Sequence, residues 1–457
     1  MSGSSNSSIT LMTDGPVSKR IIAFAVPLFW GNLFQQLYNT ADSLIVGNYL
    51  GNEALAAVSS SSHLIFLMVG FFNGVSIGAG VVVGKFFGSE EYDKLQKALH
   101  TIVAFGLICG ILLTVFGTLS TPYILRLMDT PADVLPKSIT YFQIYYMGSL
   151  AFAMYNFFVG ILQAVGDSRH PLIYLVISSV VNVILDLLFI AVLGFDVGAA
   201  ALATVISQFL SAYLCMRRLM KNPPEFRLYL KDIRIDTTYL RQVISNGIPA
   251  GMQNSIISVA NIFVQSTING FGKMAVAGCG TYSKIQGFAF LPITCFALAL
   301  TTFISQNLGA HEYERAKRGA LFGVICSVTV AELVGGLIYI FIPQLVRAFS
   351  TTPAVIAYGT NNARVDTIFY FLLAFSHCMA GIFRGAGKSH VPMYVMMICW
   401  CIIRVTFISI VIRLFPTITV VFWTYPLTWF LSSVIFIIYY QKSDWIHGLE
   451  ETPVPVS

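Results

Sequence analysis

The 457-residue chain is 56% hydrophobic and only 11% charged, with a mean hydropathy of +0.75 and a formal charge of +6. A soluble domain carries about a quarter charged residues, and a membrane β-barrel shows short alternating segments rather than long apolar runs. Both are excluded, and the chain reads as an all-α polytopic membrane protein.

In chain order, residues 1–17 (MSGSSNSSITLMTDGPV) form a polar tail expected to be disordered. It lacks an apolar h-region, so no cleavable leader is expected. About twelve spans follow, at 18–46, 54–84, 97–120, 138–163, 171–194, 197–218, 240–269, 276–305, 318–342, 361–383, 391–414 and 417–440. Each holds the roughly 20 residues that crossing a bilayer requires. The spans divide into an N-terminal lobe (18–220), a basic cytoplasmic linker (221–239), a C-terminal lobe (240–442) and a tail (443–457).

The basic residues orient the chain. With the N-terminus inside, nineteen of the 27 Lys and Arg fall on inside segments and six outside, while Lys284 and Arg404 lie within spans. Positive residues stay cytoplasmic, so both termini are expected in the cytoplasm of a cell-membrane protein. The same rule accounts for the +6 charge, and no nucleic-acid partner is expected.

The halves repeat. At an offset of 221, Gly51, Gly88, Glu91 and Tyr92 meet Gly272, Gly309, Glu312 and Tyr313; Pro122 and Arg126 meet Pro343 and Arg347; Gly160, Gly166, Ser168 and Pro171 meet Gly381, Gly387, Ser389 and Pro392. With one residue of slip, Pro27, Asn32 and Asn39 meet Pro249, Asn254 and Asn261. Six spans per half is even, so the repeats are parallel and related by an axis along the membrane normal, a transporter plan.

Ionisable residues within spans are costly and functional by default. Those identified are Asp42, His63, Asp186, Lys284, Glu332, His377 and Arg404. Tyr38 precedes Asp42 by four residues and Asn182 precedes Asp186 by four, so each carboxylate shares a helix face with a polar partner. Asp186 lies 15 residues beyond Pro171, about 22 Å along a helix. Both carboxylates therefore fall in the outer half of outward-running helices, where they can converge. A buried carboxylate must be protonated or paired with a cation. Asn182 and Thr204 add neutral oxygens that suit a hard cation such as Na⁺.

At the same offsets Asp42 meets Val264, Asn182 meets Ile403, Asp186 meets Phe407 and Thr204 meets Tyr425. Ion binding is therefore expected in the N-terminal half alone. His63 and Lys284 occupy equivalent positions and, with His377 and Arg404, are read as lining a substrate cleft. The bland reading, pairing with a neighbouring helix, is preferred for Glu332. The Gly-rich run 70–88 lacks the GK[ST] ending of a phosphate loop and reads as close helix packing. No nucleotide, cofactor or nucleophile–base motif is present, so neither an enzyme nor an ATP-driven pump is expected.

Two six-span halves, DSLIVGNYLGNEALAA from Asp42 to Ala57, GDSRHP from Gly166 to Pro171 and the later GAGKSHVP resemble the multidrug and toxic compound extrusion (MATE) family, and within it the DinF-like branch. The resemblance covers essentially the whole chain. It implies two six-helix bundles around a central cleft and export of organic, often cationic, compounds against inward H⁺ or Na⁺. It also implies an N-lobe ion site at Asp42, Asn182 and Asp186, with Tyr38, Asn156 and Thr204 alongside. Another branch carries acidic ligands on the seventh and tenth helices, which GIPAGMQNSIISVANIFVQ and FYFLLAFSHCMAGIF lack. A cation-coupled antiporter acting as a monomer is expected. A flippase for a lipid-linked precursor and a non-transporting receptor or scaffold stay open as alternatives.

Overall fold

The structure is a computed structural model that describes residues 11–127 and 134–449; within it, the side chains of residues 43, 44, 47, 51–64, 66 and 67 lie outside the description. His63, read as a cleft residue, is among them.

The described chain is helical. The first half contains α1 (Val17–Gly88), α2 (Tyr92–Leu127), α3 (Leu135–Met147), α4 (Ser149–Ala164), α5 (Arg169–Asp186) and α6 (Gly198–Met220). The second contains α7 (Thr237–Asn269), α8 (Lys273–Gly309), α9 (Tyr313–Arg347), α10 (Pro353–Thr367), α11 (Tyr370–Gly385), α12 (His390–Met396), α13 (Arg404–Leu414) and α14 (Thr419–Lys442). Among the described residues, nine stretches are each long and apolar enough to cross a membrane, two of them within α1, and two bent pairs bring the number to 11. The pairs are α3 with α4, bent by 47°, and α10 with α11, bent by 57°. The 33-residue α7 is more polar, carrying Gln253, Asn254, Asn261 and Gln265, and is not among these stretches.

Three features differ from the sequence reading. The gap expected after residue 46 is helical, so α1 runs unbroken for 72 residues. The segment (GNYLGNE, residues 47–53) has no proline to break the helix, although its two glycines and two asparagines give it low helix propensity. The two bends inside single predicted spans leave no proline signature at the break. The third is the tail, where Met12 is 1% exposed. Its amide donates to Gln306 Oε1 at 2.9 Å, and the Arg315 guanidinium donates to the carbonyls of Met12, Asp14 and Gly15.

The chain forms two compact units, one built on Pro27–Ile244 and one on Met12–Val26 with the chain from Ser245 onward. The linker packs on the first. Phe226 lies against Phe87 with ring centroids 5.5 Å apart, Leu228 is 1% exposed, and the Tyr229 amide donates to His100 Nε2 at 3.1 Å.

The duplication is visible in the backbone. Glu90 and His311, at offset 221, both adopt positive φ (58° and 57°), as do Gly166 and Gly387 (86° and 74°). Gly160 and Gly381 mark a close helix crossing in each half: a Cβ on Gly160 would meet the Ser76 carbonyl oxygen at 2.8 Å, and one on Gly381 would collide with the Ala297 carbonyl. Ser76 and Ala297 are themselves equivalent. In both halves a backbone carbonyl blocks the methyl group, and at Gly160 the Ser76 hydroxyl blocks it as well. Gly160→Ala is expected to destabilise the protein by about 1–3 kcal/mol, the usual cost of overpacking, read as a lowered melting temperature in detergent.

Candidate ion-binding site

Asp42 sits on α1, one turn after Tyr38. Asp186 is the last residue of α5, where the helix passes into a π-helical segment, Leu187–Val192. Asp186 is fully buried and Asn182 is 1% exposed. The two carboxyl groups lie close enough to interact directly. Two carboxylates this close cannot both hold a bare negative charge; they must share a proton or enclose a cation.

The surrounding atoms orient the pair. With its amide nitrogen toward Asp186, Asn182 donates to Asp186 Oδ2 at 3.2 Å and accepts from the Thr204 amide at 3.2 Å, the orientation that satisfies both groups. The Thr204 hydroxyl donates to Ala200 O at 3.1 Å, leaving its lone pairs available. Asp42 Oδ1 and Asp186 Oδ1 are buried with no hydrogen-bond partner. Buried polar atoms are normally satisfied, so these two oxygens are open acceptors with the chemistry to take a proton or a small cation. The two carboxylates and the Thr204 hydroxyl are oxygen ligands, the chemistry that suits a hard cation. A sleeve of Ile45, Val46, Tyr141, Ile190, Val197 and Ala199–Ala201 keeps the site dry. Asn182→Ala is expected to weaken ion dependence without abolishing it, because both carboxylates remain; the readout is the ion concentration for half-maximal transport.

Tyr141 and Tyr145 were missed by the sequence reading. They stack with centroids 6.4 Å apart and, with Tyr38, lie within electrostatic reach of Asp42. Their i, i+4 spacing on α3 was the available signal. Asn156, by contrast, is held elsewhere. Its side-chain amide donates to Phe152 O at 2.8 Å and its main-chain carbonyl accepts from the Ser76 hydroxyl. No hydrogen bond links it to either carboxylate among the described residues.

The proposed cleft residues scatter. Lys284 is exposed. His377 packs edge-on against Phe290 and Trp400 at 5.9 and 5.5 Å. Arg404, read as a cleft cation, is 1% exposed and held inside the second unit. Glu332 Oε1 accepts from the Phe371 amide at 2.7 Å. It thereby satisfies a donor that the start of α11 would otherwise leave open.

The reading also missed Asp366, at the end of α10 and 1% exposed. The carboxylate hydrogen-bonds to Tyr282, and Gln286 Nε2 donates to its Oδ2 at 3.4 Å. A buried carboxylate therefore does exist in the second half. The equivalences around it also shift. Among the described residues, each half contains one π-helical segment, Leu187–Val192 in the first and Met397–Ile403 in the second. A π turn takes in an extra residue. It comes after Asp186 in the first half but before Arg404 in the second, so the offset between these points is 222. Asn182 therefore corresponds to Arg404, not Ile403, and Asp186 to Ile408, not Phe407. Val264, the counterpart of Asp42, packs in one buried cluster with Ile408, as Asp42 contacts Asp186.

Comparison with known proteins places this architecture. The MatE family model matches residues 27–188 and again residues 249–410, two copies at the same offset of 222. Probable multidrug resistance protein YoeA of Bacillus subtilis is 29% identical over 374 residues, 80% of each chain. Probable multidrug resistance protein YpnP of the same organism is 25% identical over 398 residues, 87% of this chain and 89% of that one. A MOP superfamily transporter from Pyrococcus furiosus superposes with a TM-score of 0.89 at 21% identity, covering 98% of this chain and all of the other (100%). An outward-facing MATE family multidrug resistance transporter superposes at 0.88 with 22% identity, covering 96% and 98%. At those identities the structures speak to the fold alone, whereas the doubled family match spans most of this chain. The chain belongs to the MATE family, a family of multi-pass membrane transporters and not of enzymes.

Proposed function

We propose that the protein is a cation-coupled antiporter that exports small organic, mainly cationic, compounds, with H⁺ or Na⁺ bound at Asp42 and Asp186. The observation that carries this reading is the neighbouring carboxylate pair, each with a buried oxygen that has no hydrogen-bond partner. The names of the curated relatives, which are multidrug resistance proteins, support the substrate class.

Filling the site neutralises the pair and lets α1, α5 and α6 close around it. Emptying it leaves like charges that favour a looser arrangement. An ion shifts the inward–outward balance only through different affinities for the two states, and a site whose charge is compensated only when occupied supplies that difference. No nucleotide or cofactor takes part in this scheme. Both termini are cytoplasmic and the transporter acts as a monomer in the cell membrane.

Reconstitution tests the proposal. In proteoliposomes, an imposed gradient of H⁺ or of Na⁺, each applied alone, is expected to drive counter-movement of tetraphenylphosphonium, and collapsing that gradient to stop it. If neither gradient moves the probe, the proposal fails.

A further inference from the structure

The second unit holds an arrangement at the counterpart of the ion site that the proposed transport scheme does not use. Where the first unit has Asp42 and Asp186, the second has Val264 and Ile408, both apolar and packed together. Where the first has the neutral Asn182, the second has Arg404. Where the first has Tyr145, facing the carboxylate pair, the second has Asp366 at offset 221. The first unit's site thus carries two acids and no side-chain cation, and the second carries one acid and one cation.

The Arg404 guanidinium is fixed on several sides. Its Nη2 donates to Thr428 Oγ1 at 2.9 Å and its Nη1 to Asn261 Oδ1 at 3.4 Å. It lies over the rings of Tyr425 at 4.5 Å and Trp400 at 5.5 Å. Tyr425 is the counterpart of Thr204 and Asn261 that of Asn39, so the groups that hold the guanidinium descend from the same frame as the ion site. Cation–ring contacts strengthen when water is excluded. Asp366 feels the Arg404 charge through space. It is steadied by Tyr282, whose hydroxyl is 2.8 Å from that of Tyr370, and by Gln286. Arg404 Nε and Asp366 Oδ1 are each buried without a hydrogen-bond partner. An isolated buried charge is too costly to keep, and a balanced pair is not.

We propose that Arg404 is a tethered cation: its guanidinium permanently occupies, in the second unit, the place that an exchangeable ion takes in the first, with Asp366 as its counter-charge. The second unit therefore needs no ion, and coupling belongs to the first alone. This rests on the ion-site reading for the first unit. It predicts that removing the side chain creates a pocket with the chemistry of a guanidinium or other small monovalent cation.

The test is chemical rescue. Purified wild-type protein and Arg404→Ala are melted in detergent with methylguanidinium, and with tetramethylammonium at equal ionic strength as control. Arg404→Ala is expected to melt lower than wild type. Methylguanidinium should recover part of that loss, tetramethylammonium should not, and wild type should respond equally to both. Asp366→Asn combined with Arg404→Ala is expected to recover stability without any added cation. The proposal is overturned if methylguanidinium and tetramethylammonium act alike on Arg404→Ala, or if the double variant is no more stable than the single one. Should Arg404→Ala fail to fold, a double variant that also fails assigns Arg404 to packing and overturns the proposal. A double variant that folds supports it. Repeating the rescue in an Asp42→Asn/Asp186→Asn background separates the two claims. There the methylguanidinium response persists even if the first unit's ion-site reading is wrong.

Discussion

Asp42→Asn is expected to yield a folded protein whose gradient-driven transport falls about 5- to 150-fold, the range of typical coupling free energies. Folding survives because the architecture accepts a neutral residue there: Val264 fills the equivalent position in the second unit and is 2% exposed. Transport does not survive, because a single carboxylate no longer has a like charge to be relieved by the ion. Asp186→Asn should behave alike, since each carboxyl group feels the charge of the other. The measurement is the initial rate of tetraphenylphosphonium movement in proteoliposomes under an imposed gradient, alongside the melting temperature of the same preparation. A variant with wild-type transport contradicts the assignment, and a variant that does not fold shows that Asp42 is structural.

The second large effect belongs to Asp167, in the GDSRHP stretch. Its side chain is fully buried and serves three donors at the start of α5: the His170 amide at 3.1 Å, His170 Nδ1 at 2.7 Å and Arg218 Nε at 3.3 Å. The carboxylate closes α5 at its positive end and ties α5 to the end of α6. Arg218 and His170 keep 19% and 24% of their side-chain surface, so solvent softens the loss. Asp167→Ala is expected to cost about 1–3 kcal/mol, the range for stranding donors of a charged hydrogen bond. The effect is read as a lowered melting temperature, and Asp167→Asn should recover part of it.

Much of this was legible in the residues. Span number follows from apolar length, and the duplication from Gly, Pro and Glu matches that apolar similarity does not generate. Asp42 and Asp186 declared themselves because a carboxylate with a polar partner at i−4 is expensive in a membrane helix. The ring of Tyr141 and Tyr145 did not, since tyrosines in apolar helices are ordinary. Asp366 was hidden in NNARVDT, a stretch polar enough to pass for the outer end of a span. Arg404 was seen but misplaced by one residue. A π-helical insertion leaves no mark in composition, and only the backbone shows where each half takes in its extra residue. The bends after Met147 and Thr367 escaped for a similar reason, as neither carries a proline.

The central claim is that Asp42 and Asp186 together hold the coupling ion. Its most direct test is the affinity of detergent-solubilised protein for tetraphenylphosphonium, measured across pH at fixed Na⁺ and across Na⁺ at fixed pH. Linkage requires that an ion which alters substrate affinity be altered by it in turn. The account predicts that wild-type affinity depends on one of the two ions and that the Asp42→Asn/Asp186→Asn protein binds the probe with an affinity independent of both. A double variant that keeps the wild-type ion dependence would contradict it.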